Sequence, residues 1–338
     1  MTGSAQGPLV IQWILDTRPL WPKATLTPQL ENEASRALAL LSQEERIKVL
    51  KYYHVRDAKM AMASHLLKRY LLSRYGRVPW PEVKISKDER TQKPIFRDPS
   101  CGQCSIGFNV SHQAGLVALS AVCGRAERDS KDQTRGGAGS GRGDGQAADV
   151  GVDIVCTSER RVRDHQMVRE EGWPAFVDMH ADVLADSEAS YLKYQILSAV
   201  PGLPHSASQD EILDFKLRCF YTLWCLREAY LKMTGDALVA DWVRGLEFRR
   251  FMPPAPTMSL DVPAEEGPTG QVISRHNIFV EGQPVTNVNM SLQGLGPDYI
   301  VCTAIRTRSS PSTALNLRIG SFEMVSIDDI LNYAESTL

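Results

Sequence analysis

Asp153 sits in the middle of Gly151-Val152-Asp153-Ile154-Val155, a carboxylate inside an otherwise apolar strand pattern. Burying a carboxylate is costly unless it is paired or holds a cation. Two readings stand there: a metal ligand, or an aspartate bonded to a neighbouring backbone amide. Trp224, Glu228 and Lys232 follow at i, i+4 and i+8 in the clearest helical pattern of the chain. An exposed Glu–Lys pair at this spacing is worth only about 0.2–0.5 kcal/mol. Beside a tryptophan that should face the core, the pair is less ordinary. Ser111-His112 follows Phe108-Asn109-Val110 and lies between two strand patterns. Neighbouring strand residues face opposite ways, so the two are no nucleophile–base pair. A hydroxyl and an imidazole at a strand end can donate to a phosphate; the alternative is a turn serine and a surface histidine. Arg56 and Lys59 share a helical face, and Lys87, Arg90 and Lys93 cluster in SKDERTQKP. One such cluster is usually a solvated face. Two in the same half as Ser111-His112 could wall in phosphates.

The elements that must position these residues are legible in part. Residues 9–15 read as an opening strand and 28–41 as helical. Ser42 and Glu45 form a capping box before a helical run that stops at Gly76, with a break near His54. Met60, Ala63, Leu66, Leu67, Tyr70 and Leu71 keep helical period and predict a buried face. Strands are expected at 83–86, 94–96, 106–110 and 116–122, the last two joined by SHQAG. Residues 124–149 contain no Val, Ile, Leu, Met, Phe, Tyr or Trp. Such a segment buries nothing and predicts a flexible insertion and the boundary between halves 1–149 and 150–338.

Beyond it, 150–156 reads as a buried strand, 157–172 as a charged loop, and 174–194 as helical with a turn at 185–188. Residues 211–234 form a helix ended by Gly235. Strands are expected at 246–248, 271–280, 286–292 and 299–305, and a short helix in the tail. Each half shows a long helix ending in glycine (Gly76, Gly235), then a tryptophan (Trp80, Trp242), then a short strand. That rhythm is a weak hint of duplication.

The chain has 338 residues, 43% hydrophobic and 23% charged, enough for a folded core and about two domains. A formal net charge of −2 argues against general nucleic-acid binding. No apolar run is long enough to span a membrane, and the N-terminus lacks the features of a secretory signal. Seven cysteines, an odd number, fit reduced thiols in the cytoplasm. Cys101 and Cys104 make one C-x-x-C with no second pair, read as loop cysteines. The common nucleotide cradles and hydrolase motifs are absent.

Five segments, in order, resemble one family: RDAKMAMASHLLKRYLL (56–72), QKPIF (92–96), FNVSHQ (108–113), GVDI (151–154) and WCLREAYLKMTG (224–235). The chain resembles the 4′-phosphopantetheinyl transferases of the broad-specificity, surfactin-synthetase type, laid out most like the fungal members. The family's G-[IV]-D and W-x-x-K-E-[AS]-x-x-K motifs read here as Gly151-Val-Asp153 and Trp224-Cys-Leu-Arg-Glu228-Ala-Tyr-Leu-Lys232. Arg227 replaces the usual lysine. Val155 stands where many bacterial members carry a second acidic metal ligand, so water would complete the metal shell.

The resemblance implies an α+β fold of two similar subdomains related by pseudo-twofold symmetry, each a small antiparallel sheet packed with a long helix. It implies transfer of the 4′-phosphopantetheine of coenzyme A to a serine of apo acyl, peptidyl or aryl carrier proteins, with release of 3′,5′-ADP. Fatty-acid, polyketide and nonribosomal-peptide synthases and the aminoadipate reductase of lysine synthesis are such carriers' hosts. By resemblance, Asp153 and Glu228 would bind Mg²⁺, Glu228 would take the serine proton, and Lys232 would neutralise phosphate charge. Ser111, His112, Arg56 and Lys93 would hold coenzyme A; Lys87 and Arg90 align less securely. The expected molecule is a cytoplasmic monomer without nucleic-acid or membrane partners. Two rivals remain. A coenzyme A-dependent acyltransferase would need a thioester base such as H-x-x-x-D, and none stands out. A non-catalytic carrier-docking protein would have no need of Asp153, Glu228 and Lys232 together.

Overall fold

The computed structural model describes residues 8–89, 91, 93–96, 104–125, 148–236, 240–258, 260, 272–307 and 317–338. The first half opens with β1 (Leu9–Asp16), then the short α1 (Leu30–Glu33) and α2 (Ser35–Ala39), α3 (Gln43–Leu50) and the long α4 (Val55–Gly76). Two hairpins follow: β2 (Ile85–Lys87) with β3 (Pro94–Phe96), and β4 (Cys104–Gln113) with β5 (Leu116–Arg125). The second half starts at β6 (Ala148–Cys156). It runs through α5 (Arg161–Glu171), α6 (Trp173–Asp178), α7 (Asp186–Tyr194) and α8 (Ile196–Ala199) to the long α9 (Gln209–Thr234). Strands β7 (Leu246–Arg249), β8 (Asn277–Val280), β9 (Gln283–Pro284), β10 (Asn289–Leu295), β11 (Tyr299–Thr307) and β12 (Glu323–Met324) precede the terminal α10 (Ile327–Ser336). Helices and largely antiparallel sheets make this an α+β fold.

Strand alternation sets the layers. In β1, Ile11, Trp13 and Leu15 pack with Leu66, Leu67 and Leu71 of α4. Ile14 points the other way, joining Val152 and Ile154 of β6 and Val301 of β11. In β11, Ile300, Cys302 and Ala304 face α9. The order is therefore helix α4, sheet β12-β1-β5-β4, sheet β10-β11-β6, helix α9. The two sheets meet through two separate apolar clusters. Between those clusters runs a buried polar row: Gln12, Ser120 and Asn109 are register partners across the first sheet. Gln12 Nε2 donates to Thr303 Oγ1 at 3.0 Å, and Asn109 Oδ1 accepts from the Val152 amide at 3.0 Å. The second bond satisfies an N–H at the edge of β6, which would otherwise stay open.

The capping box expected at Ser42 forms, and a second, not read from the sequence, opens α9 at Ser208. Ser42 Oγ accepts from the Glu45 amide, and Ser208 Oγ accepts from the Glu211 amide, each at 3.3 Å. Residues 51–54 break the helical run before α4. Several boundaries differ from expectation. Residues 28–41 form short helical pieces because Ala34 leaves helical geometry. Residues 161–171, expected as loop, are helical. Their periodic inward positions are polar: Asp164 accepts from the Tyr221 hydroxyl, and His165 Nε2 lies 2.6 Å from Asp214 Oδ1. An apolar-period test is blind to such a face. Of the expected strand 271–280, the described residues 272–280 are strand at 277–280, with Ile273 bridging to Leu292. The turn in SHQAG is only Ala114-Gly115, so Ser111 and His112 lie within β4. Gly124-Arg125 and Ala148-Asp149 belong to β5 and β6; the rest of the expected insertion, 126–147, lies outside the described residues, as do Cys101 and Arg90.

The tail returns to the first half. β12 pairs parallel with β1, and Val325 N donates to Ile14 O at 2.8 Å. Ile330, Leu331 and Ala334 of α10 join the α4 core, and Arg36 Nε bonds Glu335 Oε1 at 2.7 Å. Among the described residues no helix is long and apolar enough to cross a membrane.

Candidate active site

Gly151 decides how closely β6 approaches α9. A Cβ there would lie 2.1 Å from Ala229 O and 2.3 Å from Met233 N. Only glycine lets strand and helix backbones touch like this. Two residues on, Asp153 faces the same helix and is buried. Lys232 Nζ donates to Asp153 Oδ1 at 2.6 Å and to Ser111 Oγ at 2.9 Å, and Ser111 Oγ donates to Asp153 Oδ1 at 2.9 Å. Ser111 belongs to β4, so this triangle ties both chain halves together. Lys232 pairs with Asp153 rather than with Glu228, its neighbour one turn earlier.

The triangle opens into a cleft of about 510 Å³ whose lining includes Ser111, His112, Asp153, Glu228 and Lys232. Tyr221, Trp224, Glu228 and Lys232 are the half-buried positions on an otherwise buried stretch of α9. At i, i+3, i+7 and i+11 they form one stripe. Among the described residues no group donates a hydrogen bond to the Glu228 carboxylate. Burial raises its pKa above the ordinary carboxylate value, the nearby Asp153 charge adds to this, and Lys232 opposes it. His112 is exposed at the rim, on the α4 side of β4. The surrounding protein and then the Lys232 cation hold its imidazole below the usual histidine value, against the pull of Asp57. Near neutral pH it is therefore an uncharged donor or acceptor.

The far end of the cleft is apolar and aromatic: Met167, Phe176, Phe220 and Trp224 line it, with His180 between the rings. Arg160 and Arg163 stand exposed at its edge, and Asp164 and Tyr221 close its floor. None of Arg160, Arg163, Asp164 or Tyr221 was singled out from the sequence. The signal for Tyr221 was present, since it extends the 224–228–232 stripe by one turn; the others were hidden by taking 157–172 as a loop.

The remaining expected residues lie elsewhere. Arg56, with a 68% exposed side chain, is in the first turn of α4 and pairs at 3.7 Å with Asp57. Lys59 is buried and donates to Leu20 O and Trp21 O. Lys87 ends β2, exposed. Lys93 Nζ donates to Met233 O at 2.9 Å, on the last turn of α9. None of these four lines the cleft. Arg227, adjacent to Glu228, points into the core. Its guanidinium donates to Glu188 Oε2 at 2.6 Å, Leu246 O at 2.7 Å and Val243 O at 2.6 Å.

Asp153 and Glu228 are hard oxygen donors from strand and helix. Among the described residues no group of three or more His, Cys, Asp or Glu side chains could hold a metal ion unaided. Two carboxylates suit Mg²⁺ when phosphate and water oxygens supply the rest, and the Asp153 charge that helps raise the Glu228 pKa is one that a divalent cation would offset.

Comparison with known proteins gives two family matches. Residues 27–124 match the model described as 4′-phosphopantetheinyl transferase, N-terminal, and residues 149–275 match the 4′-phosphopantetheinyl transferase superfamily. A 4′-phosphopantetheinyl transferase 1 of Fusarium mangiferae is 43% identical over 99% of this chain and 98% of its own. A 4′-phosphopantetheinyl transferase of Aureobasidium melanogenum is 33% identical over 90% of this chain and 94% of its own. The human L-aminoadipate-semialdehyde dehydrogenase-phosphopantetheinyl transferase is 21% identical over 80% of this chain and 68% of its own.

Proposed function

As a member of the 4′-phosphopantetheinyl transferase superfamily, this chain moves the 4′-phosphopantetheine arm of coenzyme A onto carrier proteins, and we propose that it does so in the cleft between β6 and α9. The carrier serine gives its Oγ proton to Glu228, directly or through one water, as Oγ bonds the β-phosphorus of coenzyme A. The bond from that phosphorus to the bridging oxygen breaks, and 3′,5′-ADP leaves with that oxygen. The raised pKa of Glu228 makes it a better proton acceptor than a solvated carboxylate. Lys232 meets the charge that grows on the phosphate oxygens. Ser111 and neutral His112 hold a phosphate by hydrogen bonds. Arg56, in the first turn of α4, binds the 3′-phosphate region or the pyrophosphate of coenzyme A.

Asp153 and Glu228 would hold Mg²⁺, which when bound neutralises the diphosphate. What most supports this assignment is that a strand and a helix, pressed together at Gly151, bring Asp153, Glu228 and Lys232 to one cleft. The carrier range proposed is broad, of the surfactin-synthetase type; for its lysine-synthesis member, the support is the relative named for L-aminoadipate-semialdehyde dehydrogenase. We also propose that the halves, divided between β5 and β6, are related by a pseudo-twofold axis. In its support, each long helix carries a buried arginine that grips a glutamate before the helix and a carbonyl after it.

The deciding experiment incubates the protein with coenzyme A, Mg²⁺ and an apo carrier and follows carrier mass. The carrier should gain one phosphopantetheine, and EDTA should stop the gain. Asp153→Ala and Glu228→Ala should each slow transfer roughly 10²–10⁴-fold with unchanged circular dichroism. Wild-type rates in either variant would remove the site, and indifference to EDTA would remove the metal. An acyl gain, seen only with acyl-coenzyme A, would instead support the acyltransferase.

A further inference from the structure

We infer that the cavity between β1, α4 and the returning tail is a second ligand site, built for a free amino acid that carries two ammonium groups. It measures about 350 Å³, on the scale of small-molecule sites. Its lining includes Trp13, Tyr70, Arg74, Tyr75, Glu323 and Asp329, none of which lines the cleft. Strand register assembles it. Trp13 of β1 pairs with Glu323 of β12, so both side chains leave the sheet on the side of α4. There the Trp13 ring lies 5.1 Å from the Tyr70 ring and 5.9 Å from the Tyr75 ring. Arg74 Cζ lies 5.5 and 5.6 Å from the same two tyrosine rings. Asp329, in the first turn of α10, adds a second carboxylate.

Trp13 is 3% exposed, yet its indole N–H meets no acceptor among the described residues. Buried indoles ordinarily find one: Trp80 donates to Leu40 O at 2.9 Å and Trp173 to Leu192 O at 2.8 Å. The Trp13 ring lines the cavity, so its acceptor can come from a ligand there. The charges are unspent as well. Among the described residues Arg74 donates to the Tyr70 hydroxyl and forms no ion pair, and the Glu323 and Asp329 carboxylates accept no hydrogen bond. One guanidinium and two carboxylates around one cavity complement one carboxylate and two ammonium groups. The ligand carboxylate takes the Trp13 N–H and the remaining Arg74 donors, and the two ammonium groups reach Glu323 and Asp329. A simple cation would leave the indole and Arg74 without an acceptor, and a simple anion would face two acids. Counted from the buried arginines of the two long helices, Arg69 and Arg227, Tyr70 and Arg74 stand where α9 carries Glu228 and Lys232. Under the proposed pseudo-twofold the cavity is therefore the first half's counterpart of the cleft, with a phenol and a guanidinium in place of the carboxylate and the ammonium.

The test is titration calorimetry of the full chain with L-lysine up to about 10 mM at pH 7, beside norleucine, which lacks the second ammonium, and cadaverine, which lacks the carboxylate. L-Lysine should bind, and each analogue should bind about tenfold more weakly or worse. Arg74→Met and Asp329→Asn, both at exposed side chains, should each weaken L-lysine about tenfold. No heat with L-lysine would overturn the inference. Cadaverine binding as tightly as L-lysine would reduce the site to a cation trap and overturn it, and equal binding of norleucine would remove the second ammonium and overturn it too. Unchanged affinity in both variants would place the bound lysine elsewhere. Should Arg74→Met not fold, Asp329→Asn still decides. The titration reads binding and not transfer, so its failure leaves the proposed reaction untouched.

Discussion

The two long helices carry the same device in different surroundings. On α4, Arg69 Nε donates to Glu45 Oε2 at 2.9 Å and Nη1 to Trp80 O at 3.2 Å. On α9, Arg227 reaches Glu188, Val243 O and Leu246 O. Each glutamate also accepts from the backbone before its own helix, Glu45 from Ser42 N and Glu188 from Ala185 N. Each arginine thereby ties a preceding helix to the 3₁₀ segment after the long one, Trp80–Glu82 or Asp241–Gly245. The difference is water. The Arg69–Glu45 side chains are 9% and 13% exposed, with His65 Nδ1 at 3.2 Å from Glu45; Arg227 and Glu188 are 1% exposed. At Glu45, burial pushes the pKa up, but hydrogen bonds from His65 and Ser42 and the Arg69 cation outweigh it and hold the carboxyl well below its usual range. At Glu188, burial prevails over Arg227 and two amides, and the pKa is raised. A sealed clamp stabilises less per bond, because desolvation takes back much of the attraction. It does fix its helix in one rotation, and that helix carries Glu228.

The largest expected difference is in stability. Arg227→Met, which strands a buried carboxylate, should cost about 3–5 kcal/mol in urea unfolding. Arg69→Met should cost about 1–3 kcal/mol, because water can reach the glutamate left behind. Equal losses, or the reverse order, would break the comparison. Next comes chemistry, confined to the second helix. Lys232 holds the Glu228 pKa down, so Lys232→Met should move the acidic limb of log(kcat/KM) against pH to higher pH. An unmoved limb would take Glu228 out of the pH profile. The smallest effect is Glu45→Gln, about 1 kcal/mol after solvent screening, or roughly 2–4 °C in Tm at pH 7. Because the folded pKa is depressed, the gap should be full above the ordinary carboxylate value and close as pH falls below it. For Glu188, with a raised pKa, the sign reverses: its contribution is present at low pH and fades as pH rises.

The sequence exposed what depends on local spacing. The α4 stripe, the Ser42 and Gly235 helix ends, and the strand holding Asp153 all follow from period and caps. So did the nearness of Trp224, Glu228 and Lys232 on one helix. It did not expose pairings set by register between sheets, such as Ser111 with Asp153. Nor could it show that Lys93 meets Met233, since a carbonyl partner has no residue type. Residues 161–171 were missed because their inward face is made of Asp164 and His165, polar residues satisfied by Tyr221 and Asp214.

The return of β12 and α10 to the first half has a consequence for how the molecule is made. Among the described residues, it is the last, from Glu323 on, that cover the outer edge of β1 and one flank of α4. As the chain emerges from the ribosome, the first sheet must wait, with an open strand edge, through synthesis of all of the second. Such an edge invites pairing with other chains, and contacts this far apart in sequence form slowly. Nascent or truncated forms ending before Glu323 are therefore the species most prone to aggregate.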